Sequence, residues 1–204
     1  MPAPTLRVPY ETFLERNLQH SRIASALPGL EPALQKALAE LLLIRLFDDL
    51  QEALSGIAYR LACGTSYLDG TTPILLVPAA RSTQGARVLF ETHLRAKHQN
   101  VRWSRTTFIK NTTKHVLDSG DSFIRACDAH SLRISEMHAV RNRIAHRNAS
   151  TRGAFDVVLR RYYGGAPAGV SPGLLLLTPR ATPTPLQAYL VATRVITKDC
   201  ARAR

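Results

Sequence analysis

The chain has 204 residues, 45% of them hydrophobic, which is enough for one folded domain with its own core and excludes a disordered tail. Lys and Arg number 27 against 15 Asp and Glu, and the formal net charge of +12 points to a polyanionic partner: RNA, DNA or an acidic protein. No apolar run approaches the roughly 20 residues of a membrane span, and the first residues, MPAPTLRVPYETF, lack the apolar centre of a secretory signal. A cytoplasmic protein with no membrane partner is therefore expected. Cys63, Cys127 and Cys200 lie far apart with no CxxC, so the expectation is free or structural thiols rather than a cysteine zinc site.

Residues 8–26 read as a first helix, with Leu14, Leu18 and Ile23 on its inner face and Pro28-Gly29 ending it. A long helix follows from Glu31 to about Gly64, opened by Glu31-Pro32. Leu43, Leu46, Phe47, Leu50, Leu54, Ile57 and Leu61 keep a helical period along it. Asp48, Asp49 and Glu52 form an acidic patch on that helix, best read as partners for Arg45 or for a basic helix across the bundle. From Cys63 to Ser82 glycines and prolines break the pattern, and Ile74–Val77 reads as a short extended segment.

Helix resumes at Thr83 and runs to about Gln99, and another spans Thr106 to Leu117. Arg102, Arg105, Lys110 and Lys114 surround Trp103 and Phe108. Such a set fits a nucleic-acid track with stacking residues, though a solvated basic helix face is the stronger reading. Residues 118–130 are less regular. After the helix at 131–149, a short one at Ala154–Tyr163 ends at Gly164-Gly165. Gly173–Pro179 resembles the earlier extended segment, so the two are expected to pair as a small β element. A stiff Thr182–Pro185 connector precedes a last helix from Leu186 to about Cys200. The fold class expected is all-α or mostly α, a helical bundle, with a main unit at 1–164 and a Pro-rich connector plus C-terminal helix at 165–204 packing on the same domain.

The sharpest stretch is Ser131–Ser150, SLRISEMHAVRNRIAHRNAS, with neither Pro nor Gly. Ile134, Met137, Val140 and Ile144 form an apolar stripe, and His138, Arg141, Asn142, Arg143, His146, Arg147 and Asn148 lie off it. On a continuous helix Asn142 and His146 share a face one turn apart, His138 extends that row, and Arg141 stands about 140° from His146. The set suits phosphodiester cleavage. His titrates near neutral pH and serves as general acid or base. Arg offers a planar fork to phosphate oxygens, and Asn orients the imidazole or the phosphate. His138 and His146 are about 12 Å apart on such a helix, too far to share a metal ion.

Arg141-Asn142-Arg143-Ile144-Ala145-His146 resembles the R-x(4–6)-H motif of the HEPN superfamily, in the variant with a polar residue after the Arg. The resemblance covers about residues 31 to 150, and it is nearest to the branch found beside RNA-repair and phosphatase-like genes. It implies a small helical bundle that forms a homodimer, with two motifs sharing one cleft. It further implies a metal-independent endoribonuclease with no cofactor, acting as a toxin or defence effector with an antitoxin or defence-system partner. Members without catalysis serve as binding modules for RNA, a nucleotide or a protein. Carried over by position, Arg141, Asn142 and His146 are the catalytic set, with His138, Arg143 and Arg147 as flanking RNA contacts. One of Asp48, Asp49 and Glu52 would match the acidic residue some members carry on an earlier helix.

Overall fold

The structure, a computed structural model, describes residues 4–95 and 101–203 apart from the side chains of His93 and Arg95. The structure is 68% helical, an all-α bundle with essentially no strand among the described residues. Helix α1 (Arg7–Ala26) closes in a 3-10 turn at Leu27–Gly29. Helix α2 (Pro32–Leu61) is the centre of the bundle. The Glu31 carboxylate accepts from the backbone N–H of Ala33 and Leu34, and Pro32 sits where no donor is needed. Each residue of its expected stripe, from Leu43 to Leu61, is buried. Around it stand α3 (Thr83–Arg95), α6 (Ser131–Ala145), α8 (Pro172–Leu176) and α9 (Pro185–Ala201), with α1 along one flank. Helices α4 (Thr106–Thr113), α5 (Ser122–Ala129) and α7 (Ala149–Tyr163) complete the shell.

Several expectations change. In α1 the inward residues are Phe13 and Asn17, whereas Leu18 and Ile23 are about half exposed. The reason is a polar anchor: the buried Asn17 amide donates to Leu190 O and Thr193 Oγ1 on α9, and this sets the rotation of α1. Helix α3 is described to Arg95, and the expected extension to Gln99 lies outside the described residues. Helix α4 ends at Thr113 instead of Leu117. Residues 118–130, read as irregular, hold α5, whose N-cap is the buried Asp121.

The expected β element does not form. Leu75 makes an isolated antiparallel bridge with Leu117, and Pro172–Leu176 is helical. Ser171 caps the Leu174 N–H and Pro172 fills the first helical position, so the apolar run after them coils rather than extends. Gly173 is the point of contact. Its N–H donates to Glu40 Oε1, and a Cβ there would stand 2.7 Å from the Lys36 carbonyl oxygen. Gly173→Ala is therefore expected to destabilise the fold by about 2 kcal/mol through forced separation of α8 from α2. A denaturant midpoint lowered with an unchanged slope is the reading that checks it.

Helix α9 opens with a reciprocal Thr184–Gln187 capping box and packs on α1, α2 and α5. Cys127 on α5 and Cys200 on α9 are buried free thiols with sulfurs 3.8 Å apart, and Cys63 is also free.

Candidate functional site

Helix α6 carries the motif. Ile134, Met137 and Val140 turn into the core as the period requires, with Ile144 half-buried at the end of the stripe. On another face Ser131, Ser135, His138 and Asn142 recur at steps of four, three and four, within about 60° of arc. His138 is half-buried. Its ring packs edge-on to Phe47 of α2, with centroids 6.1 Å apart, and the Asn142 amide nitrogen lies 3.2 and 3.4 Å from its two ring nitrogens. Burial pulls the His138 pKa down to about 4, and the positive charges of Arg105 and Arg141 push in the same direction. At neutral pH this imidazole is uncharged.

The helix stops at Ala145, not at residue 149, so His146 stands at its end rather than within it. His146 is the C-cap, with φ −136° and ψ 88°, and its N–H still donates to the Asn142 carbonyl at 2.8 Å. Its side chain is exposed at the rim. The break follows from the next residues: Asn148 Oδ1 accepts from the Thr151 N–H, starting α7, while Thr151 Oγ1 donates to the His146 carbonyl. Two helices capped so closely cannot share the intervening residues. Arg143 braces this turn by donating to Asn148 O at 2.9 Å, and the exposed Arg147 reaches Glu40 at 3.5 Å.

Five arginines are firmly paired with carboxylates, and Arg141, like Arg105 and Arg143, is not among them. Arg16, Arg87, Arg133 and Arg152 each hold a carboxylate within 2.9 Å, and Arg161 grips Glu136. Arg141 has only a 3.9 Å contact with Asp48, and its buried Nε finds no acceptor among the described residues. Most of its fork is thus uncommitted inside the protein. The acidic patch itself divides. Asp48 faces Arg141, while Asp49 and Glu52 face α1, where Arg16 and His20 pair with Asp49 and Arg16 also holds Glu52. Arg45 forms no ion pair with them.

The site also gains a residue from α4. The positive charge of Arg105, the N-cap of α4, acts on His138, and Arg105 forms no ion pair among the described residues. Its guanidinium lies 5.9 Å from the Phe108 ring centre, and Arg102 lies 5.1 Å from the same ring. Trp103 is not available for stacking with a ligand: it is 8% exposed and packs against Tyr59 and Phe90. The basic run around Phe108 was visible in the sequence, but its approach to α6 was not. A buried Glu136 held by Arg133 and Arg161 was also missed, because a single acidic residue within a basic helix carries no signal of burial.

Among the described residues no group of three or more His, Cys, Asp or Glu side chains is placed to hold a metal ion, and no helix is long and apolar enough to cross a membrane. Comparison with known proteins found no matching family model and no significant similarity to a curated protein or a solved structure.

The depressed His138 pKa has a measurable consequence. The unfolded imidazole takes a proton near pH 6.5, while the folded one resists until about 4. Stability linked to His138 is therefore complete above about 6.5 and declines as pH falls toward 4. The His138→Gln variant is expected to lose that component of the pH dependence, read as a flatter profile of chemical denaturation midpoints between pH 7 and 4.5.

Proposed function

We propose that the chain is a metal-independent endoribonuclease of the HEPN type, a toxin or defence effector that works as a homodimer in the cytoplasm. One observation carries the reading: the motif arginine, Arg141, has a largely uncommitted guanidinium next in sequence to Asn142 and five residues before the exposed His146. A cation left without a close internal partner, on a chain of net charge +12, is suited to an external anion. With RNA, the 2′-oxygen attacks phosphorus while an imidazole takes the 2′ proton. The bond to the 5′-oxygen breaks, and that oxygen takes a proton from a second imidazole, leaving a 2′,3′-cyclic phosphate and a free 5′-hydroxyl. One copy of His146 serves one of these steps, and the second copy of the chain supplies the other. Arg141 stabilises the charge gathered on the phosphoryl oxygens, and Asn142 orients it. Arg143 and Arg147 flank the scissile position.

The test is incubation of the purified chain with single-stranded RNA in EDTA. Cleavage to cyclic-phosphate ends by the native chain, absent in His146→Ala, supports the enzyme. Equal cleavage by both, or by neither, removes it.

A second reading is a non-catalytic module that binds RNA, a nucleotide or a partner protein such as an antitoxin. It is favoured by the position of His146 at the helix end, where among the described residues its side chain makes no hydrogen bond to Arg141 or Asn142. RNA binding that weakens with salt, without any cleavage, would select it.

A further inference from the structure

A cavity of about 330 Å³ opens beside the motif, lined by Arg105, Thr106, Thr107, Lys110, Asp128, Ser131 and Ser135. Ser131 and Ser135 belong to the same face of α6 as His138 and Asn142, so the cavity and the motif lie along one side of one helix. Eleven residues separate Ser131 from Asn142, about 16 Å along the axis. That is the length of roughly five stacked nucleotides.

Charge within the cavity is unevenly committed. Lys110 is paired with Asp128 at 2.8 Å, which cancels both. Arg105 has no carboxylate partner among the described residues. The Phe108 ring under it limits its freedom without consuming its N–H donors, and Arg102 shares that ring. A guanidinium already in contact with a ring loses less rotamer entropy when it grips a phosphate. The hydroxyls of Ser131, Ser135 and Thr107 add neutral donors on the same wall. Two guanidinium groups with no close carboxylate among the described residues, Arg105 and Arg141, therefore both act on His138.

We infer that the Arg105 cavity is a second phosphate subsite, and that a single RNA strand runs along α6 from the Arg102–Phe108–Arg105 cluster to Arg141. This rests on the ribonuclease or RNA-binding reading of the motif and adds to it the strand's path and a minimum substrate length. A fragment spanning only the motif leaves the cavity unfilled. A longer strand engages both guanidinium groups.

Fluorescence anisotropy on the full chain tests it, with labelled single-stranded RNA of three and of twelve nucleotides at several salt concentrations. His146→Ala serves as the background so that nothing is cleaved. Arg105→Ala is expected to weaken the twelve-mer about tenfold, the scale of one charge-assisted contact. It should lower the salt slope by about 0.7 and leave the three-mer within twofold. Ser135→Glu, an exposed change that places negative charge on the wall, is expected to act the same way, so a folding defect in one variant does not decide the matter. Arg141→Ala should weaken both lengths. If Arg141→Ala weakens binding while Arg105→Ala and Ser135→Glu leave the twelve-mer unchanged, the second subsite is wrong and the motif reading stands. Equal loss for both lengths in Arg105→Ala also overturns the subsite, because it would make the cavity part of the motif site. No RNA binding by the background protein overturns both.

Discussion

For the proposed ribonuclease, Arg141→Ala is expected to lower the RNA cleavage rate by about a hundredfold to a thousandfold, the scale seen when one preorganised donor to a developing negative charge is removed. The fold should survive. Arg141 contributes only a long contact to a half-exposed Asp48 and caps nothing, so the far-ultraviolet spectrum and melting temperature are expected to match the native chain closely. Arg141→Lys separates charge from shape. The ammonium keeps the positive charge but cannot present two parallel N–H groups to a phosphate, so a substantial part of the loss should remain. Asp48→Asn should leave cleavage within a few-fold, since it removes only the one distant carboxylate that faces Arg141. Rates from initial-velocity measurements at saturating RNA check all three. A rate in Arg141→Ala equal to the native rate would remove Arg141 from the reaction.

The largest expected effect on stability lies elsewhere, at Asp121. Its carboxylate is 1% exposed and accepts from three donors: the Tyr67 hydroxyl at 2.5 Å, the Ile74 N–H at 2.9 Å and the Phe123 N–H at 3.0 Å. It therefore caps α5 and ties that helix to the loop after α2. Burial and the adjacent carboxylate push the Tyr67 pKa strongly upward, so its hydroxyl keeps the proton it donates. Asp121→Ala removes the acceptor of the buried Tyr67 hydroxyl and of the part-buried Ile74 N–H and takes away the cap, leaving the Phe123 N–H with only the Tyr67 oxygen. The cost is expected at about 3 kcal/mol, a fall of roughly 6–12 °C in melting temperature for a chain of this length. Asp121→Asn retains one acceptor oxygen and the shape, and should cost less. Tyr67→Phe should cost less again, because the carboxylate keeps its backbone donors. Thermal melts of the three variants check the order, and Asp121→Ala within 0.5 kcal/mol of native would show that the cap does not hold α5.

Asp121 marks a place where the sequence was hard to read. Residues 118–130 hold a Gly and several polar residues, which is the signature of a loop, yet Asp121 before Ser-Phe-Ile is also a good N-cap. The helix is short, and the energy that fixes it comes from Tyr67 and Ile74, about 50 residues earlier in the chain. Gly173–Pro179 failed in a related way. A short apolar run between prolines fits strand or helix equally, and only the Ser171 cap with the close seat on Lys36 selects the helix.

The long periodic elements were legible because their determinants are local. Apolar spacing set α2 from Leu43 to Leu61, and the same spacing in α6 set Ile134, Met137 and Val140 inward. The motif residues were legible as a string, and so was the excess of positive charge. The end of α6 at Ala145 depends on the competing cap of α7, which leaves His146 at the helix end with a non-helical backbone. The commitment of each charge depends on what packs beside it: Asp49 and Glu52 go to α1, Asp48 goes to Arg141, and Arg105 arrives beside His138 from α4. Periodicity tells a residue which way to face, because that is a property of one helix. Which cation stays without a close partner is a property of several helices at once, and only their packing decides it.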